Sequence, residues 1–262
     1  VYGYKTDGFY TADDFTFDAE KGTYALKAGV NDCSSLIGGK VYPGSIKLKA
    51  NEDGEYKKER LGNTVPIVSG GFGLNARWKG FDFTAFFNYS LGNKIVNATK
   101  LGSSFYSGSS KNWNINDHFT SANRYSWIDP STGTNLLSSA SIKANGEAWT
   151  INRLNEVNTG SSIWNPAAAT VMPLVDWAVE DGSFLRVNNI TIGYTLPKLF
   201  VSKLNIQNIR IYVTGYNLHC FTKYSGTDPE VDCCTSTPMT PGIDYAAYPK
   251  SRSFVGGINV TF

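Results

Sequence analysis

The sequence predicts an all-β chain, a stretch of transmembrane antiparallel barrel wall with long loops at one end. Three observations predict it. Segments of roughly ten residues alternate apolar with polar or small side chains, the period of a strand with two unlike faces. The connections between these segments alternate short and long, as outer-membrane barrels do with their periplasmic turns and extracellular loops. The composition, with 15 Tyr, 15 Phe, 6 Trp and 26 Gly in 262 residues, suits strands and loops better than helices.

Charge and hydropathy narrow the class. The formal net charge is only +2, and no basic run forms a phosphate-tracking groove, so no nucleic-acid partner is expected. No apolar run reaches the roughly 18 residues of a membrane helix. A mean hydropathy of −0.24 fits a soluble protein or a barrel wall with large polar loops. The sequence opens VYGYKTDG, with no Met and no signal peptide, which reads as a processed product or a portion of a longer chain.

Residues 1–65 hold many turn formers and little sustained periodicity, and are expected to form an extracellular loop region. A hairpin is expected over 66–91. Val68, Gly70, Phe72, Leu74, Ala76 and Trp78 share one face of its first strand, and Lys79-Gly80 makes a tight turn. Phe81, Phe83, Ala85, Phe87 and Tyr89 continue the apolar face, opposite Asp82, Thr84, Asn88 and Ser90, with Phe86 the exception. Residues 92–182 are irregular and read as a large extracellular loop. The last three strands are expected within 183–262: SFLRVNNITIGYTLP, then IRIYVTGYNLHCFT, then RSFVGGINVTF. A short connector, PKLFVSKLNIQN, makes the periplasmic turn between the first two, and the stretch from Thr222 to Lys250 the last extracellular loop. Asp82, Thr84, Asn88, Asn189 and Thr191 are the expected lumen-facing side chains. On the final strand Phe254, Ile258, Val260 and Phe262 are expected to face lipid, and Ser253, Asn259 and Thr261 the lumen. Five strands cannot close a barrel, and bare sheet edges are not tolerated in hydrocarbon, so the rest of the wall is expected upstream.

Enzymatic chemistry finds little support. His118 and His219 belong to no nucleophile or metal motif, and Gly70-Gly71-Phe72-Gly73 lacks the Lys-Ser/Thr of a phosphate loop. No cofactor is expected. Cys33, Cys220, Cys233 and Cys234 show no zinc-type spacing; a disulfide to Cys233 or Cys234 and free thiols both remain open. The Asn-x-Ser/Thr triplets at Asn88, Asn97, Asn189 and Asn259 fall mostly in strands and are read as chance matches. Trp113, Trp127, Trp149, Trp164 and Trp177 crowd into the large loop. They serve either as the loop's own core or as stacking and anchoring faces for a substrate or partner. Trp78, beside a short turn, fits an aromatic girdle at the periplasmic interface. Arg186, between Leu185 and Val187, either faces the lumen near the substrate path or binds a carbonyl of a neighbouring loop.

Several stretches resemble one family. EDGSFLRVNNITIGYTLP (180–197), IRIYVTGYNLHCFTKYSGTDPEV (209–231) and TPGIDYAAYPKSRSFVGGINVTF (240–262) look like the C-terminal part of SusC/RagA-type TonB-dependent transporters. VYGYKTDGFY (1–10), YPGSIKLKANEDG (42–54) and RWKGFDFTAFFNYSLGNKI (77–95) resemble the same family, while most of 96–179 does not. The resemblance implies the C-terminal segment of a plugged barrel of about 22 strands. It implies a multi-pass protein of the Gram-negative outer membrane importing oligosaccharides or oligopeptides. The implied partners are a SusD-like surface lipoprotein as lid, the TonB complex acting through an N-terminal plug, a glycan or peptide ligand, and membrane lipid. Asp228 and Glu230 form the family-like Asp-Pro-Glu motif, whose charges either hold the last outer loop or touch partner or ligand. Substrate or lipoprotein contacts are expected from Trp113, Trp127, Trp149, Trp164, Arg186, Asp228 and Glu230. A terminal aromatic, Phe262, resembles the signal read by barrel-assembly machinery. The family's calcium-like loop is degraded here: Asn51 and Asp53 remain, but Lys49 and Arg60 occupy its first and twelfth ligand positions, so an acidic turn with Gly54 at positive φ is the main expectation. The competing readings are a soluble β-sandwich that binds carbohydrate or acts as an adhesin, and a passive porin.

Overall fold

The computed structural model describes residues 1–106, 114–201, 206–230, 242–245 and 248–262. The chain forms two compact units: Val1–Leu61 with Ala98–Val179, and Gly62–Asn97 with Glu180–Phe262.

The second unit is built on a five-stranded antiparallel sheet. Its strands are β1 (Val68–Trp78), β2 (Phe81–Leu91), β3 (Phe184–Thr195), β4 (Asn208–Thr222) and β5 (Ser253–Thr261). They lie in the order β5-β4-β3-β2-β1, so each strand sits beside its neighbours in sequence. Directly opposed residues of an antiparallel ladder share a face. Leu74 opposes Ala85 and Ala85 opposes Ile190; Phe83 opposes Ile192, which opposes Val213; Ile211 opposes Ile258. These rows make one face apolar. On the other face Asn75, Thr84, Thr191 and Thr214 line up across four strands. Thr84 Oγ1 donates to Asn75 Oδ1 at 3.0 Å, and the Thr191 and Thr214 hydroxyls are 2.8 Å apart.

The apolar face is bare. Leu74, Ile192, Val213, Phe254 and Ile258 are each more than half exposed. Contiguous exposure of this extent marks an interaction surface, and alternating strands of this kind present such a face to lipid. Phe86 sits on the polar side, as its break in the alternation requires. Its ring lies against Gly71, where a Cβ would come within 2.9 Å of it. The ladder is irregular at one level. Val187 and Asn189 oppose the consecutive residues Phe87 and Phe86, so Asn188 is an extra residue in β3. At the same level β4 carries Asn217 at φ 51°.

The short connections are the Lys79-Gly80 turn and residues 196–207, which contain one helical turn, Lys198–Val201. Both lie at one end of the sheet. The long connections leave the other end, where Lys94–Asn97 pairs in parallel with Ile243–Asp244.

The first unit differs from what periodicity alone leads one to expect. Residues 1–61 and 98–179 share one packed core, with Tyr10, Phe15, Ile37, Ile46, Leu48, Tyr125, Leu136, Ile142, Leu154 and Val175 fully buried. Its antiparallel pairs, Phe15–Asp18 with Thr23–Leu26 and Thr6–Phe9 with Ile46–Leu48, have strands of three or four residues. Strands that short do not fill a periodicity window. A helix, Ser139–Val157, runs through the stretch read as loop. Ser138 caps it, its hydroxyl accepting from Ser141 N at 3.2 Å, and Gly146 at φ 78° kinks it. Its buried positions are few and mostly small, Ser141, Ile142, Thr150 and Leu154, so its sequence shows no strong apolar stripe.

Candidate functional site

The polar face carries two ion-pair systems, one at each end. Near the long connections, Arg186 on β3 is 4% exposed and Asp228 3%. The Arg186 guanidinium donates to Asp228 Oδ1 at 2.5 Å. Its Nε stands 2.6 Å from Glu230 Oε2, yet its N–H is not aimed at that oxygen, so this second contact is coulombic and the Nε–H remains without a hydrogen-bond acceptor. Glu230 is shared further: Asn88 Nδ2 on β2 donates to it at 2.9 Å, and Lys250 Nζ at 2.7 Å. Asp228 Oδ1 also accepts from Glu230 N at 2.9 Å, closing the turn around Pro229. Two cations and two carboxylates thus tie the loop bearing Asp228 and Glu230 to β2 and β3; the Arg186–Asp228 pair has little exposure to water to screen it, while Lys250 is exposed. Arg186 therefore takes carboxylates as partners, where a loop carbonyl was one expectation. Arg186, Asp228, Glu230 and Asn88, named separately from sequence, meet at one place. Lys250 was missed; nothing in its surroundings distinguishes it from a solvated lysine.

At the short-connection end, Asp82 on β2 and Arg210 on β4 form a two-bonded pair, with Nε to Oδ1 at 2.9 Å and Nη2 to Oδ2 at 2.5 Å. They lie two strands apart. The residue between them is Gly193, which opposes Asp82 directly. Asp82, Arg210, Arg77, Thr84 and Thr195 line a 550 Å³ cleft there. The five expected lumen-facing residues, Asp82, Thr84, Asn88, Asn189 and Thr191, all occupy this polar face by register.

The tryptophans divide. Trp164 is 5% exposed; its Nε1 donates to Ser104 O at 3.2 Å and its ring meets Trp177 edge-on at 5.1 Å. That placement makes it a core residue of the first unit, one of the two roles expected of the loop tryptophans. Trp127 is half-buried, with Nε1 donating to Pro43 O at 2.6 Å and its ring 5.6 Å from Tyr42. Trp149, on the helix, is 43% exposed. Trp113 lies outside the described residues. Trp78 is exposed at the end of β1.

The Asn51 loop is an acidic turn. Asn51 Oδ1 accepts from Asp53 N at 3.1 Å and Glu55 N at 2.7 Å, and Gly54 has φ 78°. The oxygen that would ligate a cation already holds the turn. Among the described residues no group of three or more His, Cys, Asp and Glu side chains is placed to hold a metal. Cys33 and Cys220 are free thiols, and burial pushes the Cys33 thiol pKa up. Cys233 and Cys234 lie outside the described residues.

The antiparallel sheet with one bare apolar face and one charged face defines a segment of transmembrane barrel wall. No helix among the described residues is long and apolar enough to cross a membrane. No family model matches the chain. It is 30% identical over 266 residues to TonB-dependent receptor P3 of Formosa agariphila, matching 100% of this chain and 22% of that protein. TonB-dependent receptor P39 of the same organism is 25% identical over 291 residues, covering 100% of this chain and 25% of that protein. Over 89 residues the chain is 34% identical to TonB-dependent receptor SusC of Bacteroides thetaiotaomicron, 33% of this chain and 8% of that protein. In fold it matches the structure of the RagAB peptide transporter with TM-score 0.57 at 21% identity, covering 100% of this chain and 22% of that one. The RagAB peptide importer in its closed-closed state gives 0.55 at 22% identity, over 100% of this chain and 23% of that one. The chain is SusC/RagA-like, homologous along its whole length to TonB-dependent receptors. It spans about a quarter or less of the length of these relatives. They are named as receptors and transporters, not as enzymes.

Proposed function

We propose that this chain is wall and outer-loop structure of a TonB-dependent importer in the Gram-negative outer membrane, moving oligosaccharides or oligopeptides with a SusD-like lipoprotein as lid. The carrying observation is the sheet's two-sidedness: a bare apolar face against lipid, and a polar face crossed by the Arg186 and Asp82 ion pairs. The polar face, with Thr84, Asn88, Asn189 and Thr191, lines the lumen in this reading. The long connections lie outside the cell, and the Arg186 network fixes the loop bearing Asp228 and Glu230 near the path of the ligand. Trp149, exposed on the helix of the first unit, is the tryptophan that meets lid or ligand in this reading. Energy comes through the TonB complex acting on a plug carried elsewhere in the protein, and Phe262 serves barrel assembly.

The test is purification of the full-length gene product from outer membranes in detergent, followed by identification of co-purifying proteins and ligands. A lipoprotein and bound glycan or peptide are expected. Recovery as a folded soluble monomer without detergent would overturn the barrel reading and favour the β-sandwich module.

A further inference from the structure

We infer that the rim of the sheet carrying the two short connections binds the headgroups of anionic phospholipid. This rests on the barrel reading above. The two connections form one rim, because Thr195 N donates to Gly80 O at 2.8 Å. The apolar face ends there in an aromatic row: Trp78 opposes Phe81, and Phe81 opposes Tyr194, with the last two rings 4.5 Å apart. Beyond the row, the helical turn Lys198–Val201 presents Leu199 and Phe200, 77% and 65% exposed. Exposed apolar side chains beside an aromatic row are suited to the boundary between acyl chains and headgroups.

Charge decides what sits beside them. Among the described residues of the two connections the charged side chains are Lys79 and Lys198, with no Asp or Glu. The connection 223–252 at the other end is mixed, with Asp228, Glu230, Asp232 and Asp244 against Lys223, Lys250 and Arg252. The acid nearest the rim, Asp82, is on the polar face and bound by Arg210. Lys79 holds its ammonium 5.0 Å from the Trp78 ring centroid, with its stem at the apolar face. A lysine so placed favours an anionic surface over a neutral one. Lys198 is exposed beside Leu199 on the same rim.

The experiment reconstitutes full-length protein in phosphatidylcholine vesicles with or without phosphatidylglycerol, then re-extracts it and measures the lipids retained. Phosphatidylglycerol enrichment over phosphatidylcholine is expected, falling roughly tenfold in the Lys79→Ser/Lys198→Ser double variant. Leu199→Ser/Phe200→Ser tests the apolar half and is expected to lower retention of both lipids. No enrichment in the wild type, or equal enrichment in the lysine variant, overturns the inference. Failure of the wild-type protein to enter vesicles at all would instead overturn the barrel reading.

Discussion

Asp82 and Arg210 meet across an intervening strand, and they meet because residue 193 has no side chain. A Cβ on Gly193 would stand 2.5 Å from Asp82 Oδ1 and 2.6 Å from Arg210 Nη2. The glycine's role here is space between two charged side chains. Gly193→Ala is expected to separate the pair and to lower stability by about as much as Asp82→Asn or Arg210→Gln, roughly 1 kcal/mol for a partly exposed two-bonded pair. Denaturant unfolding of the detergent-solubilised protein checks this. Additivity of Gly193→Ala with Arg210→Gln would show the glycine to be irrelevant to the pair.

The buried Arg186 network behaves differently. Arg186→Ala leaves Asp228 and part of Glu230 buried without their cation, a change that costs about 3–5 kcal/mol where burial is deep. The loop bearing Asp228 and Glu230 is expected to detach, read as faster tryptic cleavage at Lys223 and Lys250. Asp228→Asn, which keeps a hydrogen-bonding oxygen, should accelerate cleavage less. Equal cleavage in wild type and Arg186→Ala would remove the network's anchoring role.

The first unit has its own ion pair, with a pH signature. Arg153 donates to Asp129 through Nε at 2.7 Å and Nη2 at 2.8 Å, and Ser131 adds bonds from N and Oγ. The guanidinium first, then the serine, hold the Asp129 carboxyl well below the usual carboxylate range. A depressed folded-state pKa contributes stability above the unfolded value, about 3.9, and that contribution disappears as pH falls through the folded value. Hydrogen exchange in Ser139–Val157 should therefore differ between wild type and Asp129→Asn near neutrality, and the difference should shrink as the solution is acidified below about pH 4. A difference that grows on acidification would contradict the assignment.

Two tryptophans should separate cleanly. Trp164→Ala empties a core position and is expected to cost about 3–5 kcal/mol. Trp149→Ala, on the helix surface, should change stability by less than about 0.5 kcal/mol while weakening lipoprotein or ligand binding. Thermal unfolding and a lipoprotein pull-down give the two readouts; unchanged binding in Trp149→Ala would take it out of the contact surface.

Phe262 is 80% exposed just beyond β5. Its deletion is expected to reduce the assembled protein recovered from outer membranes without altering the stability of what does assemble. Quantitative immunoblotting of membrane fractions checks it; unchanged yield would remove the proposed assembly role.

The sheet was legible from sequence because each strand is long enough to show its period. The expected span 209–222 for the fourth strand differs from Asn208–Thr222 by a single residue. The first unit was illegible for the opposite reason. Its strands are short, its helix is capped by serine and broken by Gly146, and its core is assembled from residues far apart, as in the bond from Phe17 N to Glu147. The polar site was half legible. Period two placed Asp82 and Asn88 on one face, but Arg210 and Lys250 were visible only as charges until the register brought them to Asp82 and Glu230.

Asn188, the extra residue in β3, has one more consequence. Sidedness in a strand is a matter of parity, and Arg186 and Asn189 are three positions apart, which would put them on opposite sides of an unbroken strand. They share a side because Asn188 shifts the count. Removing Asn188 alone would leave Arg186 and Asn189 two positions apart, the spacing that keeps them on one side of a regular strand paired without a break to Phe87 and Phe86. What Asn188 adds at the level of Arg186 is therefore a local bend and a stronger twist of the strand, and its deletion should relax that bend while leaving both ends of the wall in phase.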